Sequence, residues 1–176
     1  MLTGKKVVLR EKLISDALDD YAWRSDPELA GFDGVQPLAM FPQEYTLYYV
    51  DELRRGDLLK RWFGIDNLEG KHIGNCMYYD MNESRKQVKI GIMIGDREYW
   101  GKGYGTEVIT LLVDYLFENT EMDRIYLDTL DWNLRAQKCF QKCGFVLSGN
   151  ISRSGKHFFV MELYRSWHDP HECDTT

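Results

Sequence analysis

Apolar and polar positions alternate in some stretches of the chain and recur at helical spacing in others. "KKVVLREKL" (Lys5 to Leu13) reads as a short strand rich in Val and Leu. Ser15 is placed to cap a helix over "DALDDYAWRSD", where Leu18, Tyr21 and Ala22 share one face. Pro27 and the stretch from Gly31 to Pro37 interrupt the pattern. Pro42 then opens a second helix, "QEYTLYYVDELRRG", closed by Gly56. "LKRWFGIDN" and "KHIGNCMYYDM" follow as strands joined by a turn at Asn67 to Lys71. A third strand, "KQVKIGIMIG", carries Val88, Ile90, Ile92 and Ile94 on one face. Further on, "YGTEVITLLVDYLFENT" shows a wide apolar stripe of Val108, Leu111, Leu112, Tyr115 and Leu116, the mark of a helix lying on a sheet. "RIYLDTL" is a strand, "NLRAQKCFQKC" a helix capped at Asn133 and ended by Gly144, and "FVLSGNI" and "KHFFVMELY" are closing strands. The order β-α-α-β-β-β-α-β-α-β-β describes an antiparallel meander feeding a βαβ unit. That is an α/β mixed sheet with helices on both faces.

Between the third meander strand and the next helix lies "REYWGKGYGTEV", with Gly101, Gly103 and Gly105 within five positions. A strand, a glycine loop and a helix start together make a geometry that holds an anion, because the first helical amides point at the ligand and the helix dipole adds positive potential. The spacing excludes two common anions. A Walker A loop needs GxxxxGK[ST], but Gly101-Lys102 runs into Gly103 with no hydroxyl for magnesium. The dinucleotide pattern GxGxxG is missed as well, since the glycines are spaced two and two and the preceding strand ends a meander. A tight turn without a ligand, or a site for phosphate anions alone, remains open on spacing alone.

The wider pattern carries a resemblance. "IGIMIGDREYWGKGYGTEV" resembles the acyl-CoA loop of the GNAT superfamily, the GCN5-related N-acetyltransferases, and in particular its ribosomal-protein alanine N-acetyltransferase branch. "LTGKKVVLRE", "WRSDPEL", "NLRAQKCFQKCGF" and "VMEL" fall in the family's order, so the likeness covers nearly the whole chain. Trp100 stands where the general pattern has Gln or Arg. The resemblance implies a mostly antiparallel central sheet flanked by helices, with a V-shaped splay between two central strands. It also implies acetyl-CoA as co-substrate and an amine as acceptor.

Carried onto this chain, the likeness assigns the pantetheine arm to the backbone of Ile92, Met93 and Ile94. It assigns the pyrophosphate to the loop Trp100, Gly101, Lys102, Gly103, Tyr104, Gly105 and Thr106, with the amides of Lys102 to Thr106 facing it. Lys102 is either a charge near phosphate or a solvated lysine. Asn133 matches the family asparagine that bonds the pantetheine arm, and it suits an N-cap equally well. Two positions depart from the family. Phe140 replaces the tyrosine that protonates the leaving thiolate, and Lys89 replaces a common glutamate of the central strand. The general base is therefore open. Glu98 and Asp128 are the carboxylates best placed by sequence to be catalytic, each with a purely structural alternative. Direct attack needs no covalent enzyme intermediate, so the cysteines need not be nucleophiles.

Composition adds bounds. At 176 residues, with 44% hydrophobic and 28% charged content, the chain suits one domain over residues 1–168 and a polar tail over 169–176. No apolar run is long enough for a membrane span or a signal peptide, so cytoplasmic residence is expected. The net charge of −6 argues against nucleic-acid partners and is compatible with a cationic acceptor. Asp16, Asp19, Asp20, Asp26, Glu28 and Asp33, interleaved with Tyr21, Trp23 and Phe32, could favour such an amine, though most would be a helix's wet side. Cys76, Cys139, Cys143 and Cys173 form no CxxC pair, and Cys139 and Cys143 read as buried thiols of one helix face. "HDPHEC", with His168, His171 and Cys173, has ligand residue types in a polar tail and is assigned no metal. The expectation is an acetyl-CoA-dependent N-acetyltransferase, monomer or homodimer, whose acceptor is a protein N-terminus or a small-molecule amine. The alternative is a non-catalytic acyl-CoA-binding or sensing module.

Overall fold

The computed structural model describes residues 1–56 and 59–168. The expected tail over 169–176, with His171 and Cys173, lies outside the described residues. The chain runs β1 (Leu2–Thr3), β2 (Val7–Glu11), α1 (Ala17–Ser25), α2 (Pro27–Phe32), α3 (Pro42–Arg55), β3 (Arg61–Asn67), β4 (His72–Asn82), β5 (Gln87–Ile94), α4 (Tyr104–Asn119), β6 (Arg124–Leu130), α5 (Leu134–Lys142), β7 (Val146–Arg153) and β8 (Lys156–Tyr164). All strands join one sheet in the order β1-β2-β3-β4-β5-β6-β8-β7. Every neighbouring pair is antiparallel except β5 with β6. This is the mixed, mostly antiparallel sheet expected.

The parallel pair is also where the sheet opens. β5 meets β6 only at Gln87↔Arg124, Val88↔Ile125 and Lys89↔Tyr126. Beyond Lys89, β5 stays paired to β4 as far as Ile94, while β6 stays paired to β8 as far as Leu130. The two strands therefore part into a V whose apex is Lys89 and whose arms end at Ile94 and Leu130. Gly74 keeps β4 close to the β5 arm, since a Cβ there would collide with the Met93 carbonyl.

Alternation along β2 sets the two faces. Val7 and Leu9 enter the main core, with Ile65, Ile73, Val88, Ile90 and Ile125. α4 covers that face with Val108, Ile109, Leu112, Val113 and Leu116, all 0% exposed, each contributing roughly 1.5–3 kcal/mol by burial. The stripe is centred further round the helix than its sequence suggests, because Leu111 and Tyr115 pack at its edge. Arg10, one position along from Leu9, points to the other face. There it grips Asp16 and Asp66 with hydrogen bonds of 2.6–2.8 Å. A second cluster on α1 and α3, Ala17, Tyr45 and Tyr49, packs on that side.

The N-terminal third departs from the sequence reading. The strand expected over Lys5 to Leu13 is present as β2, Val7–Glu11, and a short β1 that the pattern did not mark precedes it and folds back on it. Ser15 is not a cap, because Ile14–Asp16 forms a 3-10 turn and Asp16 takes the position before α1, its carboxylate accepting from the Leu13 amide at 2.8 Å. Pro27 does more than interrupt. Its fixed φ starts α2, whose N-terminus Asp26 caps through the amides of Glu28 and Leu29.

Candidate active site: a cleft along the split strands

A cleft of about 1500 Å³ runs along the open V. Ile92, Met93 and Ile94 form one wall, Leu127 to Leu130 the other, and Asn133, Ala136, Cys139 and Phe140 of α5 part of the surround. The glycine loop lies at the wide end and contributes Trp100, Gly101, Gly103, Tyr104, Gly105 and Thr106. Gly101 and Gly103 hold φ of +71° and +84°, a conformation L side chains rarely adopt, and this turns the chain sharply into α4.

The start of α4 differs from those of α2 and α5. Asp26 caps α2 and Asn133 caps α5, whereas Gly103 has no side chain to cap α4. The first backbone bond of the helix is Glu107 to the Gly103 carbonyl, 3.1 Å. That leaves the amides of Tyr104, Gly105 and Thr106 without an acceptor among the described residues. They open onto the cleft beside the wide end of the V, where the helix dipole adds positive potential. Glu107 faces away from them, accepting from the amides of Lys6 and Val7 and so fastening β2 to α4. An anion is the complement this helix start lacks.

The sequence-named residues divide as follows. Ile92, Met93, Ile94, Trp100, Gly101, Gly103, Tyr104, Gly105, Thr106 and Asn133 all line the cleft. The Ile94 carbonyl already accepts from the Trp100 indole N–H at 2.7 Å. Lys102 is exposed and does not line the cleft, and its carbonyl accepts from Lys6 Nζ at 2.9 Å. Asn133 Oδ1 caps α5 through the Ala136 amide at 3.2 Å, which leaves its Nδ2 without a partner among the described residues. Asp128 lines the cleft next to the apex of the V, with Oδ2 held by Lys89 at 2.5 Å and Arg153 at 3.4 Å. Lys89 sits between the rings of Tyr79 and Tyr126, 5.6 and 5.7 Å from their centroids. Burial, with the Asp128 charge second, pushes the Tyr79 hydroxyl up to about 12. Glu98 turns the other way. Its carboxylate is 80% exposed, lies 3.9 Å from Lys71 Nζ and does not line the cleft.

Three features were not evident from the motifs. Arg135 lies 3.6 Å over the Trp100 ring and 4.7 Å over Phe32, tying α5 and α2 to the glycine loop. Phe32 also meets Trp100 edge-on at 5.8 Å. Cys139 faces Thr106 Oγ1 at 3.6 Å, and its hydrogen bond with Cys143, then that with Thr106, brings its thiol down to about 7 against the opposing effect of burial. At the other end of the cleft, Lys12 is buried against Asp20 at 2.7 Å and against Asn75, with His72 at 3.3 Å from the same carboxylate. Burial lowers the Lys12 ammonium, and the Asp20 carboxyl is held below its usual range by hydrogen bonds from His72 and Lys12 despite its own burial. Of the N-terminal acids read as favouring an amine, Asp16 and Asp20 are thus committed to Arg10 and Lys12, and Asp26 and Glu28 to Arg97. Phe140, 7% exposed, packs edge-on against Phe145 and has no proton to offer.

The strand split is what the family resemblance implied and the open helix start is what the glycine loop implied, and comparison with known proteins decides the family. The family model of the acetyltransferase (GNAT) domain matches residues 6–146. The chain belongs to the GNAT family. The match is to the acetyltransferase (GNAT) domain as a whole and does not specify the ribosomal-protein branch. The spermine/spermidine N(1)-acetyltransferase of Bacillus subtilis is 31% identical over 100 residues, 54% of this chain. The chain spans 66%, just under two thirds, of that enzyme's length. The aminoglycoside N(6')-acetyltransferase type 1 of Klebsiella pneumoniae is 35% identical over 60 residues, 34% of this chain and 30% of that protein. Among solved structures, the spermidine N-acetyltransferase of Vibrio cholerae in complex with CoA and spermine superposes with a TM-score of 0.80 at 21% identity, over 93% of this chain and 98% of that one. At that identity the likeness establishes the GNAT fold. Among the described residues, no helix of this GNAT domain is long and apolar enough to cross a membrane.

Proposed function

We propose that this GNAT domain transfers the acetyl group of acetyl-CoA directly to a primary amine of a small polycation, of the polyamine or aminoglycoside kind. One observation carries the reading: three unaccepted amides at the start of α4 open into the same cleft as the bare edge of β5. A diphosphate suits the amides of Tyr104, Gly105 and Thr106, and an extended amide-bearing arm suits the backbone of Ile92 to Ile94 and Asn133 Nδ2. Such an arm would reach the cleft along the V toward Asp128. Trp100 must then yield the Ile94 carbonyl or leave that contact to the indole. Lys102 acts, if at all, as a charge at the loop's outer side.

The amine must attack the thioester carbonyl as an unprotonated nucleophile, the C–S bond then breaks, and the thiolate leaves. No cysteine is needed as a nucleophile. The polycation class is supported by the relatives' substrates and by Asp33, a carboxylate that lines the cleft with no ion pair among the described residues. Free thiol released from acetyl-CoA should be measured with spermine, kanamycin and a peptide bearing N-terminal alanine. Turnover on the polycations and not on the peptide is expected. Turnover on the peptide alone would return the acceptor to a protein N-terminus, and tight binding of acetyl-CoA without turnover on any amine would favour a binding module.

A further inference from the structure

Five carboxylates line the cleft among the described residues, and four of them are committed. Glu11 is paired with Arg61, Asp20 with Lys12, Glu52 with Lys60 and Asp128 with Lys89 and Arg153. Asp33 has neither an ion pair nor a side-chain hydrogen bond among the described residues. Its place in the fold is set by its two neighbours. Phe32 packs on Trp100, just beyond the β5 arm of the V. Gly34 is seated so closely against Phe158 and Leu130 that a Cβ there would lie 2.6 Å from Phe158 Cζ and 3.7 Å from Leu130 Cδ2, at the end of the β6 arm. Asp33 therefore sits between a contact to the loop that follows the β5 arm and a contact to the end of the β6 arm, and it lines the cleft there.

We propose that Asp33 is the catalytic proton acceptor of the transfer, receiving the acceptor's ammonium group and taking one proton from it before attack. The inference rests on the amine-transfer reading above. In the step, the ammonium gives a proton to the Asp33 carboxylate and becomes a neutral amine. Its nitrogen then forms the bond to the thioester carbonyl carbon as the C–S bond breaks, and the departing thiolate takes up the second proton that the nitrogen sheds. Asp33 returns its own proton to water. Asp33 is exposed at the mouth of the cleft, and the protein packed around it pushes its carboxyl up to about 6 while Arg24 of α1 pulls it down. Arg24 is the charge that acts on it most, and the other cations set against its neighbours are Arg135, 4.7 Å over the Phe32 ring, and Arg153, 4.5 Å over the Phe158 ring. A base poised near neutrality is the efficient one.

The test uses the full chain with saturating acetyl-CoA and either spermine or kanamycin, following thiol release from pH 5 to 8. Wild-type kcat/KM for the amine should fall as the pH drops through about 6, as Asp33 of the free enzyme becomes protonated. Asp33→Asn should lower kcat by about 10²-fold or more and abolish that limb, with coenzyme affinity unchanged. The Asn variant should fold, because it keeps the shape of an exposed side chain that holds no ion pair or side-chain hydrogen bond among the described residues, and a melting temperature at pH 7 within a degree or so of wild type checks this. If Asp33→Asn keeps kcat within threefold, or changes KM alone, the proposal is wrong while the amine-transfer reading stands. A flat wild-type profile between pH 5 and 7 also overturns it, whatever the variant does. If the wild-type chain releases no thiol with any amine, the amine-transfer reading fails and takes the proposal with it.

Discussion

Gly105→Val separates coenzyme binding from folding more cleanly than a substitution at either neighbouring glycine. Gly101 and Gly103 lie at positive φ, where a β-branched side chain stores about 1–3 kcal/mol of strain, so a change there weakens fold and site together. Gly105 is the second residue of α4 and is not among the positive-φ positions. A Cβ added to it would lie 3.5 Å from Cys139 Sγ, 3.9 Å from Ile92 Cδ1 and 4.0 Å from Ile94 Cγ1, all ordinary contacts. Those three atoms belong to residues lining the slot, so the two methyl groups of valine extend into the space the arm requires. Helix propensity favours valine over glycine by a few tenths of a kcal/mol, so stability should hardly change. The ligand loses more. If the obstruction removes two of the three charge-assisted amide contacts, at about 1.5–3 kcal/mol each, the loss is about 3–6 kcal/mol. That corresponds to a Kd raised by about 10²- to 10⁴-fold. Calorimetric titration with coenzyme A gives the Kd, and a thermal melt of the same sample reports the fold. A variant that melts like wild type and binds within threefold of it would refute the assignment of the diphosphate to the start of α4.

Other consequences are open to measurement. Phe140→Tyr should raise kcat severalfold at unchanged coenzyme affinity, since it puts a proton donor on the cleft wall, and a fall in kcat would mean the hydroxyl is misdirected by packing against Phe145. Cys139, with its thiol near 7 and lining the cleft, should be alkylated by iodoacetamide at pH 7 well ahead of Cys76, whose thiol burial pushes up, and saturating coenzyme A should slow the reaction at Cys139. Equal rates with and without coenzyme would put the arm elsewhere. Lys12→Met leaves the buried Asp20 carboxylate with only Asn75 and His72, and a loss of about 3–5 kcal/mol is expected in urea unfolding. A loss below about 1 kcal/mol would mean that those two donors suffice.

The residues legible in the sequence are those whose role depends on their chain neighbours. Alternation in "KQVKIGIMIG" marked the β5 wall because side-chain direction in a strand repeats every two residues. The two-and-two glycine spacing marked the uncapped helix start because positive φ and a missing cap are properties of consecutive residues. Asn133 was legible as a cap for the same reason. In the N-terminal third, local signals competed: Ser15 and Asp16 both suit a cap, and the contacts of Asp16 with Arg10 and the Leu13 amide decided between them.

Charge could not be assigned that way. Glu98 and Asp128 looked equivalent along the chain, yet one carboxylate turns to Lys71 in solvent and the other is held at the apex of the V by Lys89, 39 positions away. Asp33 was one of six N-terminal acids, and its isolation became visible only when Arg10, Lys12 and Arg97 were seen to take the partners nearest them. The sequence by itself determined most of the strands and helices and the glycine turn before α4, because these follow from backbone geometry over a few residues. The tertiary structure decided which cleft carboxylate has no ion pair among the described residues, because pairing energies fall steeply with distances that exist only once the helices have packed on the sheet.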